Sequence, residues 1–328
     1  MLERHPDIAD RLFTGHAATV LSRFPDGCVD LVVTSPPYWT AVAYDYRDNP
    51  WPTYEAYLAD MQSVWAQCAR VLRANGKLCI NAPLMPIPKA LIAQHTRHLK
   101  NIAADLEHGI LAATDLARYG LFVWQKQTSK MMFGSYPYPG NIIENNTIEF
   151  IHVYVKPGKP PRFDPEVKAA NALTRAEWLD LTQQVWFMYP QDVPRGGNHP
   201  APFPEKLPAR LIRLYSFGAA AHFPGEVVLD PFAGTGTTCA VAKRMGRRYV
   251  GIDIDPDYVR LAQERVGNAG DAAPRLLVGR AKYPGREELE KIAVAEAGTR
   301  GPMAEAKHKR KSYGRKVTTK RNDHLTLV

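Results

Sequence analysis

The segment EVVLDPFAGTGTTCAVAKRMGRRYVGIDID, residues 226–255, constrains the fold more than any other part of the chain. Its run VVLD predicts a buried strand, the Gly-rich turn is followed by a helical stretch, and YVGID predicts a second strand. Two buried strands joined by a helix are expected to lie parallel in one sheet. An α/β fold is therefore predicted.

The turn of this unit has the features of a nucleotide-binding loop. A strand ends at Asp230, Gly234 and Gly236 keep the turn small, and two threonines open the helix, so a ligand can approach the backbone closely. Asp253 ends the second strand 17 residues after Gly236, where a carboxylate can accept from both hydroxyls of a ribose. An adenosine-containing cofactor is predicted. NAD fits poorly, because the third glycine of its fingerprint would fall on Cys239.

A second chemical signal follows the apolar run VDLVV near the N-terminus. The stretch TSPPYW, Thr34 to Trp39, sets two prolines and two aromatic residues at the end of a predicted strand. In isolation such a stretch is typical of a proline turn. Its occurrence together with the cofactor loop favours a rigid, hydrogen-bonding pocket instead.

The rest of the chain continues the α/β pattern. Apolar residues at helical spacing predict a helix over 54–72, and KLCINA, LFVWQ and TIEFIHVYV predict further strands. A helical region is expected over 88–119, broken near Gly109. Between residues 156 and 197 the chain is rich in proline and basic residues, and TRAEW has the spacing of a capping box that opens one short helix. This part is interpreted as an insertion.

Four blocks in this chain resemble the amino-group DNA methyltransferases in the permuted arrangement called the beta class. They are TSPPYW, HPAPFPEKLPARLIRLYS, DPFAGTGT and GIDID, and the resemblance covers most of residues 12–265. It implies a doubly wound, seven-stranded, mostly parallel Rossmann-like sheet that binds S-adenosylmethionine, with a small target-recognition insertion. Residues 1–125 and 198–285 would then form the catalytic domain, residues 126–197 the target-recognition region, and residues 286–328 a basic, flexible tail.

The resemblance also implies roles for the Ser-Pro-Pro-Tyr corner. The lone pair of an exocyclic amine is delocalised into the base, so acceptors must draw its hydrogens to make it nucleophilic. In enzymes with this motif, the side chain at Ser35 and the carbonyl of Pro36 are those acceptors. Pro36 and Pro37 would keep them in place, and the ring of Tyr38 would stack on a base flipped out of the duplex.

Cofactor contacts are implied in the same way. They come from Pro202, Phe203, Asp230, Phe232, Gly234, Gly236, Thr237 and Asp253, with Asp253 on the ribose. Relatives generally have Gly-Asp where this chain has Gly15 and His16, and they use that acid near the adenine. His16 either donates to the adenine or only fills space, and the sequence leaves both interpretations open.

The target base follows from the first residue of the motif. In this family, serine leans towards the N4 amine of cytosine, and Asp or Asn towards the N6 amine of adenine. Methylation at carbon five of cytosine would need a nucleophilic thiol, typically in a Pro-Cys dipeptide, and the chain contains none. N4 of cytosine is therefore predicted and N6 of adenine is the alternative. Two more distant alternatives are a methyltransferase that acts on a protein or RNA amine and a DNA-binding protein without activity.

Charge and composition complete the prediction. The net charge is +9, but residues 307–321 hold eight Lys or Arg and no acid, which leaves 34 basic against 33 acidic residues elsewhere. Lys126, Lys130, Arg162 and Arg195 are the candidate DNA contacts. Double-stranded DNA is the predicted partner, with a cognate restriction endonuclease and a homodimer as further candidates.

The four cysteines occur singly, which predicts reduced thiols and no metal site. No apolar run of about 18 residues is present, so no membrane segment is expected, and the predicted location is the cytoplasm, at the nucleoid.

Overall fold

The structure is a computed structural model that describes residues 8–39, 51–86, 99–126, 139–140, 147–188 and 203–270, together with residues 272, 274 and 276. These residues belong to a compact unit, Met1–Val278. The basic tail lies outside the described residues. No helix in the described ranges is both long and apolar enough to cross a bilayer.

One mixed sheet organises the described residues. Its strands are β1 (Arg11–Thr14), β2 (Val29–Thr34), β3 (Leu72–Pro86), β4 (Leu99–Asn101), β5 (Ala117–Gln125), β6 (Ile148–Val155), β7 (Val185–Phe187), β8 (Val227–Asp230) and β9 (Arg248–Asp253). Their order across the sheet is β1-β9-β8-β2-β3-β6-β5-β7, and β4 pairs with β3. The pairs from β1 to β3 are parallel, as is β5 with β7, whereas β6 is antiparallel to both of its neighbours.

Helices connect and cover these strands. They are α1 (Ala17–Leu21), α2 (Tyr54–Val71), α3 (Ile102–Ala113), α4 (Pro165–Ala170), α5 (Arg175–Leu181), α6 (Lys206–Tyr215), α7 (Thr237–Arg244) and α8 (Pro256–Gly267). The predicted helix over 54–72 is α2, whose N-cap Thr53 accepts a hydrogen bond from the backbone N–H of Ala56 at 3.1 Å. The capping box predicted from TRAEW forms at Thr174 and Glu177 and opens α5.

The central strands are buried on both faces. Val29 and Val32 of β2 pack into one apolar cluster with α2, whereas Leu31 and Val33 pack into a second cluster with α6. Leu31, Val32 and Val33 alternate between the two faces, as the two-residue period of a strand requires. An irregularity in the pairing with β3 between Val29 and Leu31 places Val29 on the same face as Val32. Helices therefore cover both faces of the parallel part of the sheet, which is the doubly wound arrangement expected from the sequence.

Three expectations need correction. The sheet has nine strands in the described residues rather than seven, because β4 and β7 pair with it as three-residue strands too short to leave a readable pattern. Helix α3 runs through Gly109 without a break, and β5 begins at Ala117, inside the region expected to be helical. The insertion holds two helices, α4 and α5, rather than one.

Residues 126–197, predicted as the target-recognition region, contribute more to the sheet than a surface insertion would. Strand β6 lies between β3 and β5, and β7 extends the edge beyond β5. The predicted domain boundaries thus cross the main sheet, and the assignment of this region to target recognition stays a prediction. Cys68, Cys79 and Cys239 are buried, Cys28 is partly buried, and all four are free thiols.

Candidate active site

The site lies where the direction of chain winding reverses. From β8 the chain passes through α7 to β9 on one side, and from β2 it passes through α2 to β3 on the other. Ligands of doubly wound sheets bind at such a switch point, beyond the carboxyl ends of the strands. Both predicted motifs begin there, because β2 ends at Thr34 and β8 ends at Asp230.

A buried hydrogen bond joins the two strand ends. Thr34 Oγ1 donates to Asp230 Oδ1 at 2.7 Å, across 196 residues of sequence. The same carboxylate oxygen accepts from the backbone N–H of Phe232 at 3.1 Å, which folds the start of the cofactor loop over the end of β8. Burial raises the pKa of Asp230 to about 6, although the bonds from Thr34 and Phe232 favour its ionised form. Asp230 therefore supports the loop from beneath.

The loop itself is shaped by two glycines with positive φ. Gly234 has φ +49° and Gly236, which precedes α7, has φ +78°. A side chain at Gly236 would place its Cβ 2.7 Å from the Cβ of Ala262, so only glycine lets α7 and α8 approach this closely. The N–H of Gly234 donates to Asp253 Oδ2 at 2.8 Å, which ties the loop to the end of β9.

A cavity lies beyond these strand ends and gathers most of the predicted residues. Nine of them line it: Ser35, Pro36, Pro37, Tyr38, Phe203, Phe232, Gly234, Thr237 and Asp253. Asp230 and Gly236 are not among the lining residues and act by supporting the loop. Pro202 lies outside the described residues. The two motifs, far apart in sequence, thus form one pocket.

The Ser-Pro-Pro-Tyr corner is held by Asn81 of β3. The hydroxyl groups of Ser35 and Tyr38 are hydrogen-bonded to each other. Ser35 Oγ also donates to the backbone carbonyl oxygen of Asn81 at 3.2 Å, and the phenol oxygen of Tyr38 lies 3.4 Å from the same acceptor. Whichever hydroxyl donates to the other, the Asn81 carbonyl can accept the remaining hydrogen, so at least one lone pair of Ser35 Oγ stays available to a substrate.

Trp39, which follows the Ser-Pro-Pro-Tyr corner, lies outside the cavity. Trp39 has φ +34° and packs against Tyr54 with ring centroids 5.1 Å apart, and it does not line the cavity.

Sequence reasoning missed an acidic group in the pocket. Asp60 of α2 lines the cavity, and its carboxylate accepts from Trp51 Nε1 at 2.8 Å and contacts His16 Nε2 at 2.9 Å. His16 therefore lines the cavity with its ring held by an acid from another element. The sequence signal was weak: Asp60 lies three residues after Tyr57 and four before Val64, which are both buried, so helical spacing places it next to the buried face of α2 but does not identify its partner.

The predicted DNA contacts are only partly described. Lys126 follows β5 directly, forms an ion pair with Glu149 and lies over the ring of Trp124. Arg162 lies between β6 and α4 and is exposed. Lys130 and Arg195 lie outside the described residues. All four stay predictions.

Comparison with known proteins agrees with this geometry. The family model of the N6/N4 DNA methylases matches residues 29–264. Among curated proteins, the type II methyltransferase M.MjaI of Methanocaldococcus jannaschii is 27% identical over 286 residues, covering 76% of this chain and 89% of its own. The type II methyltransferase M.Cfr9I of Citrobacter freundii is 28% identical over 279 residues, covering 78% of this chain and 87% of its own.

Solved structures give the same result. TTHA0409 of Thermus thermophilus, crystallised with S-adenosyl-L-methionine, is 32% identical with a TM-score of 0.64, covering 79% of this chain and 95% of that one. The cytosine-N4-specific PvuII DNA methyltransferase, at 18% identity and a TM-score of 0.56 over 79% of this chain and 88% of its own, shares the fold.

The residues present fit S-adenosylmethionine, which is the cofactor. Gly234 lines the cavity and, having no side chain, admits a ligand close to the backbone. Both oxygens of Asp253 keep capacity to accept from ribose hydroxyls beside the bonds from Gly234 and Asp255. The ring of Phe232 packs edge-on against Trp65, with the ring centroids 5.9 Å apart, and this contact fixes Phe232 as a wall of the cavity. With the shared motifs, the switch-point pocket and a family match over most of its length, this chain belongs to the N6/N4 DNA methylase family.

Proposed function

We propose that the protein transfers a methyl group to the exocyclic N4 amine of a cytosine that is flipped out of double-stranded DNA. The observation that carries this proposal is Ser35, the first residue of the motif, whose hydroxyl hydrogen has acceptors on Asn81 and Tyr38. A serine held in this way faces a substrate as an acceptor. An amine hydrogen is the complementary donor, and serine at this position leans towards cytosine N4 in the family.

The chain's own residues prepare the amine. Ser35 Oγ accepts one amine hydrogen and the carbonyl of Pro36 accepts the other, which localises the nitrogen lone pair. The prolines keep both acceptors fixed before the reaction, so no reorganisation is needed in the transition state. Bound S-adenosylmethionine supplies an electrophilic methyl group on a sulfonium. The nitrogen–carbon bond forms as the carbon–sulfur bond breaks, and the surplus proton leaves the amine to water.

The pocket also favours a flipped base. Tyr38 is buried, at 8% exposure, and lines the cavity next to Ser35. A base within the duplex cannot bring its amine into such a cavity, and extrusion costs a few kcal/mol that stacking on a ring can offset. The ring of Tyr38 is the surface we assign to that stacking.

The wider context of the proposal follows from the relatives. Several curated relatives are named type II methyltransferases. We therefore place the protein in a restriction-modification pair with a cognate endonuclease, in the cytoplasm at the nucleoid where its DNA lies. Lys126, Lys130, Arg162 and Arg195 are proposed DNA contacts, and a homodimer is the proposed assembly, which light scattering would test.

The experiment incubates the full-length protein with S-adenosylmethionine and unmethylated genomic DNA, digests the DNA to nucleosides and identifies the methylated one by mass spectrometry. N4-methylcytosine with the wild type, reduced at least about 100-fold in Ser35→Ala, is expected, since loss of one preorganised hydrogen-bonding group typically costs that factor. N6-methyladenine would overturn the assignment of the base. Cofactor binding without any methylated nucleoside would move the substrate to a protein or RNA amine, and no cofactor binding would indicate a DNA-binding protein without activity.

A further inference from the structure

A series of hydrogen-bonded polar side chains extends from the Ser-Pro-Pro-Tyr corner to the far side of β6. Asn81 is 2% exposed and Glu149 is 7% exposed, so both lie in the interior. Asn81 Nδ2 donates to Glu149 Oε2, and Lys126 Nζ donates to Glu149 Oε1. The sheet register explains the contact, because Asn81 pairs with Ile151 and Glu149 lies two residues away on the same face of β6.

The carboxylate of Glu149 determines which way the Asn81 amide points. Among the described residues, Oδ1 of Asn81 is buried without a hydrogen-bond partner. Such an orphan acceptor is unfavourable, so a competing interaction must hold the amide in place. Rotating the amide would bring its oxygen against the carboxylate of Glu149. The acid therefore enforces a donor at this position.

The second hydrogen of the Asn81 amide is directed at the Ser-Pro-Pro-Tyr corner. Asn81 Nδ2 lies 3.3 Å from the phenol oxygen of Tyr38 and 3.4 Å from Ser35 Oγ. The backbone carbonyl oxygen of the same residue lies within reach of both hydroxyls and can accept from the one that does not donate to the other. One residue thus offers both a donor and an acceptor to this hydroxyl pair. Neither Asn81 nor Glu149 lines the cavity.

We propose that Asn81, oriented by Glu149, is a positioning residue that fixes the hydroxyl directions of Ser35 and Tyr38. The proposal rests on the proposed function, because it concerns the acceptor that Ser35 offers to the amine. Lys126 has a part in it by balancing the charge of Glu149 in the interior. The acid keeps one amide orientation, in which Nδ2 donates to the nearer phenol oxygen of Tyr38. The serine hydrogen then stays with the Asn81 carbonyl or with Tyr38, and a lone pair of Ser35 Oγ is available to the base.

The alternative is that these residues only tie β3 to β6. An exchange variant separates the two roles, because Asn81→Asp combined with Glu149→Gln swaps amide and acid while keeping the net charge. The amide introduced on β6 can donate to the carboxylate introduced on β3, which restores the link between the strands. A carboxylate on β3 offers only acceptors, however, so the hydrogen directed at Ser35 and Tyr38 is lost.

The test compares the wild type, Asn81→Asp and the exchange variant by steady-state methylation of DNA, by calorimetric titration of S-adenosylmethionine and by thermal unfolding. Asn81→Asp, which sets two carboxylates side by side, should lower both Tm and kcat. The exchange variant should regain most of the Tm that Asn81→Asp loses, short of the Lys126–Glu149 ion pair that it gives up. It should keep the cofactor affinity of the wild type, with KM for DNA within about twofold. Its kcat should stay about 10-fold lower, as expected for one lost orienting hydrogen bond.

Each other outcome is decisive. Recovery of kcat together with Tm in the exchange variant would show that the pair is a strand tie, and would overturn only this inference. An exchange variant that neither refolds nor binds cofactor would also overturn it, because the swap would then not preserve the link that the argument requires. Absence of DNA methylation by the wild type would overturn this inference and the proposed function together.

Discussion

Replacement of Thr34 by valine tests the bond that joins the two halves of the site. Thr34 and Asp230 are each 1% exposed, so water cannot replace the lost hydroxyl. A hydrogen bond to a charged acceptor contributes about 1.5–3 kcal/mol, and valine has nearly the shape of threonine. We therefore expect Thr34→Val to lower the free energy of unfolding by about 2 kcal/mol at pH 8.

The size of this effect should depend on pH. The bond from Thr34 favours the ionised form of Asp230, whose pKa lies at about 6. Below that value the carboxyl group is neutral, and a bond between neutral groups contributes only about 1 kcal/mol. The loss caused by Thr34→Val should accordingly be smaller at pH 5 than at pH 8, and the substitution should raise the pKa of Asp230 further.

Urea unfolding at both pH values measures these differences, with the slope on denaturant unchanged between variants. Thr34→Ser is the matched control, because it keeps the hydroxyl and loses one methyl group, which costs about 1 kcal/mol at either pH. If the free energy of unfolding of Thr34→Val lies within about 0.5 kcal/mol of the wild-type value at pH 8, the reasoning is refuted. A change that small is typical of exposed residues and does not fit the loss of a hydrogen bond to a buried, charged acceptor.

Two further predictions concern Gly236 in the cofactor loop and Glu226, which lies just before β8. Gly236→Ala should lower the free energy of unfolding in urea by at least about 1–2 kcal/mol and should weaken cofactor binding measured by titration. The reason is that Gly236 has a left-handed backbone and that a Cβ there would contact Ala262. Gly267→Ala is the neutral control, because a Cβ at Gly267 would meet nothing within 4 Å. Burial raises the pKa of Glu226 from 4.5 to about 7. The nearby Asp30 carboxylate adds to this rise, whereas Arg73 opposes it. Its stabilising contribution is thus complete below pH 4.5 and lost as pH rises through 7, so Glu226→Gln should flatten the pH dependence of unfolding over that window.

Either prediction has a clear contrary result. Equal stability and cofactor affinity of Gly236→Ala and Gly267→Ala would show that α7 and α8 can separate without cost. An unchanged pH profile in Glu226→Gln would mean that Glu226 is ionised throughout, with Arg73 outweighing burial.

Local patterns in the sequence were enough to predict the parts that need only neighbouring residues. The helical period of α2, the capping box at Thr174 and the glycine turn before α7 are each written within one stretch of chain. The Ser-Pro-Pro-Tyr corner and the cofactor loop are also continuous stretches of chain, and the roles predicted for their residues came from the resemblance to the amino-group DNA methyltransferases. The α/β class follows from the order of these elements.

Only the tertiary structure decided which of these residues act on each other. The bond from Thr34 to Asp230, the contact of Asp60 with His16, and the link from Asn81 to Glu149 join residues 196, 44 and 68 positions apart. Hydrophobic periodicity tells which face of an element is buried, but it carries no information on which polar group meets another across a sheet. That choice depends on strand order and register, which the whole chain sets at once, and here it brings Asn81 next to the hydroxyl groups of Ser35 and Tyr38.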